Sequence, residues 1–285
     1  MSGAITSTYL GQYLAWRRPT NHDHLRMPQR VLVASATSTP LSSKPLTGFE
    51  QLPISTPRSK QTMPLSNLLT DTGTTALVVM LRGNLAWEAY PNGGSRDRLN
   101  RCFSVTKFVA SALVGAAIGA GLITSVDGPI LQYLPELRGT TLGELTIAHL
   151  LEMRSGIRVV EGIFPWNDEP RTYYGTDLRL RLLRLPIADS VGTFFHYNDW
   201  HPLLIAWILE RISGKTVTAW LQERLWTPLG TEHAAMMMVD RTDAAGLEHL
   251  ESGLTATAID LARFGQLFLQ DGIWNGQRLL PHGWV

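Results

Sequence analysis

Apolar and polar positions follow little order over residues 1–70, a stretch rich in Ser, Thr and Pro, and fall into clear periods after it. Within the first stretch only Arg30–Ala36 carries a strand pattern, so the rest is expected to form an irregular N-terminal arm. Thr75–Leu81 and Leu85–Tyr90 are apolar runs joined through Arg82-Gly83-Asn84, the pattern of a β-hairpin. Beyond the Pro91-Asn92-Gly93-Gly94 turn, a helix is expected from Ser104 to about Ala120. It is apolar on nearly every face, which places it inside the protein.

More helices are expected downstream. One covers Thr146–Arg154, with Gly156 as the left-handed residue that stops it. Others cover Thr176–Leu185 and Val217–Leu225, and between them lies a helix with Pro202 in its first turn and Gly214 past its end. A last one starts at Thr257, where Thr257 and Asp260 have capping-box spacing, and Asn275-Gly276 marks a hairpin turn. Gly162–Gly175, with Phe164, Trp166, Tyr173 and Tyr174, reads as a long aromatic loop.

Composition narrows the function classes. The chain has 285 residues, 44% hydrophobic and 17% charged, enough for a sizeable core. A formal charge of +1 supplies no basic field for a phosphate backbone, so nucleic acid is not an expected partner. Phe108–Ile123 is the most apolar stretch but is short and loaded with Ala and Gly, which favours a buried helix over a membrane span. No basic-then-apolar secretory pattern opens the chain, so a soluble cytoplasmic protein is the expectation. Cys102 is the single cysteine, which excludes an internal disulfide; no nearby His could draw off its proton, so it reads as a small buried hydrophobe.

The chemistry centres on Ser104-Val105-Thr106-Lys107. Residues i and i+3 of a helix share a face, with Cβ atoms about 5–6 Å apart. Ser104 would sit at the helix N-terminus, where free N–H groups favour negative charge. Lys107 is one of four lysines and falls inside an apolar helix. Burial and the positive helix end should both lower its pKa, toward an amine able to take a hydroxyl proton. The bland alternative is a Ser that caps and a Lys that snorkels to water. A second element, Phe195-His196-Tyr197-Asn198-Asp199, precedes the Pro202 helix and could bring a phenol beside the Ser/Lys pair.

Together these blocks resemble the β-lactamase-related serine hydrolases: class C β-lactamases, D-alanyl-D-alanine carboxypeptidases, related esterases and 6-aminohexanoate-dimer hydrolases. The resemblance runs from about Thr75 to Val285 and includes Phe103–Lys107, Tyr133–Leu137, Thr146–Leu151 with Ser155-Gly156, Phe195–Asp199, Trp226–Gly230, Ser252-Gly253-Leu254 and Asp260–Phe264. It implies an α+β fold, an antiparallel sheet flanked by helices with an all-helical subdomain at about 125–250, within a domain spanning 71–285. It further implies acylation of Ser104, a proton relay through Lys107 and Tyr197, and a small amide or ester substrate with no metal or cofactor. Trp166, Tyr173 and Tyr174 are candidate substrate walls.

Two departures stand out. Asp199 occupies a position where the family's pattern has Asn or Ser, and Asp offers no N–H donor to a substrate. The family's Lys/His-Thr/Ser-Gly strand, which would carry one oxyanion donor, is absent from these residues. A chain truncated before its closing strands is therefore expected, and the alternative to an enzyme is a catalytically impaired homologue acting as a non-catalytic binding protein. Other signals carry less. Asp71-Thr72-Gly73 has no second copy to face, Gly214-Lys215-Thr216 lacks the first Gly of a P-loop, His22 and His24 lack further ligands, and no G-x-S-x-G occurs.

Overall fold

The computed structural model describes residues 8–38, 40–56 and 59–285, so residues 1–7 of the expected arm lie outside the described residues. The described part of that arm is not irregular. Thr8 caps α1 (Tyr9–Trp16) by accepting the Gly11 N–H. Then come β1 (Gln29–Leu32), the paired strands β2 (Pro53–Thr56) and β3 (Ser59–Pro64), and α2 (Leu65–Asp71). β1 covers the start of the strand expected at Arg30–Ala36 and stops at Leu32, while the other elements are too short to show a period of their own. β1 is held in place by pairing along β7, which buries Leu32.

The predicted hairpin is present as β4 (Leu77–Leu81) and β5 (Asn84–Ala89). Arg82 and Gly83 both turn with positive φ, 49° and 81°, the pair that a tight hairpin with right-handed strand twist requires. It forms a two-stranded ladder of its own instead of joining the large sheet. The outer edge of β5 is covered by residues 42–46, with the Lys44 N–H donating to Leu85 O and the Leu46 N–H to Ala86 O. Among the described residues no strand pairs with the outer edge of β4.

From β6 (Asn100–Arg101) the chain turns once through Phe103–Val105 into α3 (Thr106–Gly119). Ala110, Ala112, Gly115, Ala116 and Ala117 let neighbours approach α3 closely. A Cβ on Gly115 would lie 2.6 Å from the Trp284 indole nitrogen. The stretch after it is built of α4 (Ile147–Leu151), α5 (Asp168–Tyr173), α6 (Leu178–Leu182), α7 (Trp200–Ser213) and α8 (Val217–Leu221). α7 packs on α3 and ends at Gly214 in the left-handed conformation, as its sequence predicts. β7 (Ala235–Met238) falls inside the range expected to be all-helical. It is held there as an inner strand, because both its edges find partners, β1 and β8 (Leu254–Ala256). The sheet order is β1-β7-β8-β6, antiparallel throughout. α9 (Ala258–Leu269) stacks its Phe264 and Phe268 on Phe108 of α3, and β9 (Ile273–Trp274) turns into β10 (Gln277–Arg278) through Asn275-Gly276. No helix among the described residues is long and apolar enough to cross a membrane.

Three local expectations are corrected. α4 stops at Leu151, and Met153 is the first left-handed residue after it, three positions ahead of Gly156; α6 is shorter than the pattern suggested. Asp260 does not complete a capping box on Thr257. Its carboxylate accepts the Thr257 hydroxyl and the N–H groups of Glu232 and His233, which ties the approach to β7 onto α9. Gly156 serves another purpose: at φ +71° its carbonyl accepts the Ala188 and Asp189 N–H groups, and a Cβ there would lie 2.2 Å from Asp189 O. This contact joins the strip around Ser155 to the loop leading to Tyr197. Gly156→Ala should therefore destabilise the protein by at least ~2 kcal/mol, read as a lower urea midpoint at unchanged slope; an unchanged midpoint would contradict the packing described.

Candidate active site

The chain leaves the sheet and enters α3 almost at once. The Cys102 N–H donates to Leu254 O at 2.8 Å, and the Leu254 N–H donates to Thr106 Oγ1 at 3.1 Å, so β8 clamps both sides of the junction. Phe103, between them, is forced to φ 45°. A left-handed non-glycine residue costs about 1–3 kcal/mol, and such strain persists only where the surroundings over-determine it. The result is Ser104 exposed on the first turn and Lys107 one turn later, on the same face.

Lys107 Nζ donates to Ser104 Oγ at 3.0 Å and to Glu251 O at 2.9 Å, and it lies 2.7 Å from Asp199 Oδ1. The ammonium thus makes two hydrogen bonds and one close ion pair. The Tyr197 ring centroid lies 4.7 Å from the same nitrogen. Asp199 ends the loop that opens α7, while Glu251 belongs to the turn before β8, so one side chain joins three separate segments.

This corrects the expected electrostatics. Burial works to lower the Lys107 pKa, as anticipated, and is the largest single influence, but Asp199, Tyr197 and Glu251 together outweigh it and the pKa is raised above the ordinary lysine value. Burial likewise raises Asp199, against the pull of Lys107, with Glu251 adding to the rise. Glu169 is pushed up by burial and then by Asp199. Asp199, considered from sequence as a substrate contact, instead holds the lysine.

Ser104, Tyr197, Asp199, Tyr173 and Tyr174 line one cavity of about 240 Å³. Trp166 does not. The Asn167 side chain accepts the Phe164 N–H and donates to Glu161 O, folding the loop back on itself, and Trp166 stacks outward on Phe164 with ring centroids 5.0 Å apart. Tyr173 donates to Asp23 Oδ2 at 2.7 Å, and burial raises the pKa of both Tyr173 and Tyr174, so these phenols are walls and not bases. Burial also pushes the Cys102 thiol up to about 12.

Some residues at the site carry no sequence signature. Glu251 contributes a main-chain carbonyl, and the turn presenting it is held by buried side chains: Glu251 Oε1 lies 2.9 Å from His249 Nδ1 and accepts the Ser252 hydroxyl at 3.0 Å. Arg17 and Arg18, from the end of α1, and Glu169 complete the cavity wall. Tyr13 of α1 donates to Ile163 O at 3.0 Å, which explains how the N-terminal residues reach the site. Ser155 and His201 also meet, but both are buried and burial drives the His201 pKa down to about 3, so that pair is sealed from any substrate.

Comparison with known proteins agrees with this architecture. A family model described as Beta-lactamase matches residues 65–284. The 6-aminohexanoate-dimer hydrolase of Paenarthrobacter ureafaciens is 29% identical over 232 residues, covering 78% of this chain and 58% of that protein, so the chain spans little more than half of that relative's length. A solved structure from Bacillus anthracis, described as a 6-aminohexanoate-dimer hydrolase, superposes with a TM-score of 0.82 at 24% identity, covering 99% of this chain and 76% of the other. A class C β-lactamase in complex with cefoxitin gives a TM-score of 0.57 at 19% identity, over 75% of this chain and 64% of that one. Those two likenesses show a shared β-lactamase/transpeptidase-like fold. With the family model covering most of its length, the chain belongs to the Beta-lactamase family.

Proposed function

We propose that the protein is a serine hydrolase that cleaves an amide or ester bond in a small molecule through an acyl-enzyme on Ser104. The observation that carries this reading is Ser104 Oγ at the cavity wall, 3.0 Å from Lys107 Nζ, with the Tyr197 ring against the same ammonium. A linear amide is the substrate class favoured by the named substrate of the Paenarthrobacter relative.

Because Asp199 raises the Lys107 pKa, the proton inventory differs from a neutral-amine mechanism. Lys107 stays charged, and the Tyr197 side chain against its ammonium takes the Ser104 proton as Oγ bonds to the substrate carbonyl carbon. The carbonyl electrons move onto oxygen, near the Ser104 N–H ahead of α3. Collapse breaks the bond to the leaving group, which receives the proton from Tyr197. Water then attacks the acyl carbon, again losing its proton to Tyr197, and as the acyl–Oγ bond breaks Ser104 Oγ takes that proton back. With the Lys107 pKa raised, loss of a proton from the site is pushed to the alkaline side, so activity rises with pH.

A fluorophosphonate probe should label the wild-type chain on Ser104, and Ser104→Ala should remove the adduct completely. No adduct on wild type at any pH from 6 to 10 would sink the hydrolase reading and leave a non-catalytic binding protein. The second prediction concerns Asp199→Asn. A carboxylate beside the Lys107–Tyr197 couple makes its proton harder to lose, so removing that charge should move the rising limb of the kcat/KM profile to lower pH, by about 1 unit. An unmoved limb, or a shift to higher pH, would contradict the role given to Asp199.

A further inference from the structure

On the far side of α5 lies a second groove, of about 560 Å³, into which four arginines project: Arg158, Arg171, Arg181 and Arg184. Only two carboxylates line it, those of Asp168 and Asp177. Asp168 is largely committed elsewhere, since its Oδ2 accepts the Val160 N–H at 2.6 Å and its Oδ1 stands 3.9 Å from Arg171. Arg181 lies over the Tyr9 ring at 5.1 Å, and burial followed by the neighbouring Arg171 lowers its pKa. The guanidinium groups of Arg158 and Arg184 have no partner among the described residues. Most other arginines in the chain are matched to carboxylates, as Arg96, Arg179, Arg241 and Arg263 are. Here four positive charges are gathered against two carboxylates, which leaves the groove with an excess of positive charge.

A second observation comes from Trp200. It is 2% exposed, lines the groove, and its indole N–H has no acceptor among the described residues. A buried donor without a partner is uncommon in a native protein and calls for an acceptor. Guanidinium forks pair with the oxygens of phosphate and carboxylate groups two at a time, which a point-charge ammonium does not. The volume is within the range of small-molecule sites, about 300–1,000 Å³.

We infer that this groove is a binding site for a multivalent oxyanion, a small molecule carrying phosphate or several carboxylates, held by Arg158, Arg171, Arg181 and Arg184. The site is separate from the Ser104 cavity and does not depend on the hydrolase reading. The two are nonetheless close: α5 turns Arg171 toward the groove and Pro170 and Tyr173 toward the Ser104 cavity. Asp168 and Trp200 also border a small recess that reaches Tyr197 and Asp199.

Calorimetric titration at fixed ionic strength tests this without any turnover. Inorganic pyrophosphate and citrate are the two probes, and whichever binds identifies the phosphate or the carboxylate class. At least one should bind saturably. Its affinity should fall by about ten-fold or more in Arg158→Gln/Arg184→Gln, two exposed side chains whose loss leaves no buried charge unpaired. Arg138→Gln, an exposed arginine outside the groove, should leave the affinity unchanged. Binding of neither probe, equal affinity in the double variant, or an equal loss in Arg138→Gln would each overturn the assignment.

Discussion

The site is organised by one charge. The Lys107 ammonium bonds to Ser104 on its own helix, to the Glu251 carbonyl before β8, and to the Asp199 carboxylate at the start of α7. These segments come from the central helix, the turn before β8 and the helical region. A cation so placed can hold its proton despite burial, because a carboxylate at contact distance offsets the desolvation that would otherwise neutralise it. Losing either partner would leave the other charge uncompensated, so the pair fixes the geometry of the cavity as well as its chemistry.

Around that charge the structure concentrates strain and buried polar contacts. Phe103 is held in a left-handed conformation so that strand can become helix within a few residues, which is what sets Ser104 at an open surface. Behind the lysine, His249, Glu251 and Ser252 form a buried hydrogen-bonded turn that offers the site a carbonyl oxygen, the Ser252 side of the cavity and the charge of Glu251. The N-terminal residues contribute too: α1 anchors on the loop around Ile163 and brings Arg17 and Arg18 to the cavity, ahead of the residues that the family model matches.

Much of this was legible in the sequence where a local rule decides the outcome. The Ser104–Lys107 pairing follows from helix periodicity, the hairpin at Arg82-Gly83 and the stop at Gly214 follow from left-handed turn residues, and all three stand in the structure. What the sequence withheld depends on distant partners. Asp199 reads as a failed substrate contact until the fold brings it to Lys107, and only then does the sign of the lysine's pKa shift reverse. Trp166 looks like a pocket wall by composition, yet Asn167 turns it outward. β1 falls at the start of the expected Arg30–Ala36 strand, whereas α1 is invisible because so short an element gains its partners from the aromatic loop, not from its own pattern.

The central claim is that Asp199 keeps Lys107 charged, and side-chain NMR tests it most directly. The chain has only four lysines, Lys44, Lys60, Lys107 and Lys215, so a titration with Cε-labelled lysine resolves each one, and Lys107→Arg assigns the signal. The account predicts that Lys107 remains an ammonium to a pH above the ordinary lysine value of about 10.4. A midpoint near neutrality would contradict it, and would return the lysine to the part of a neutral base.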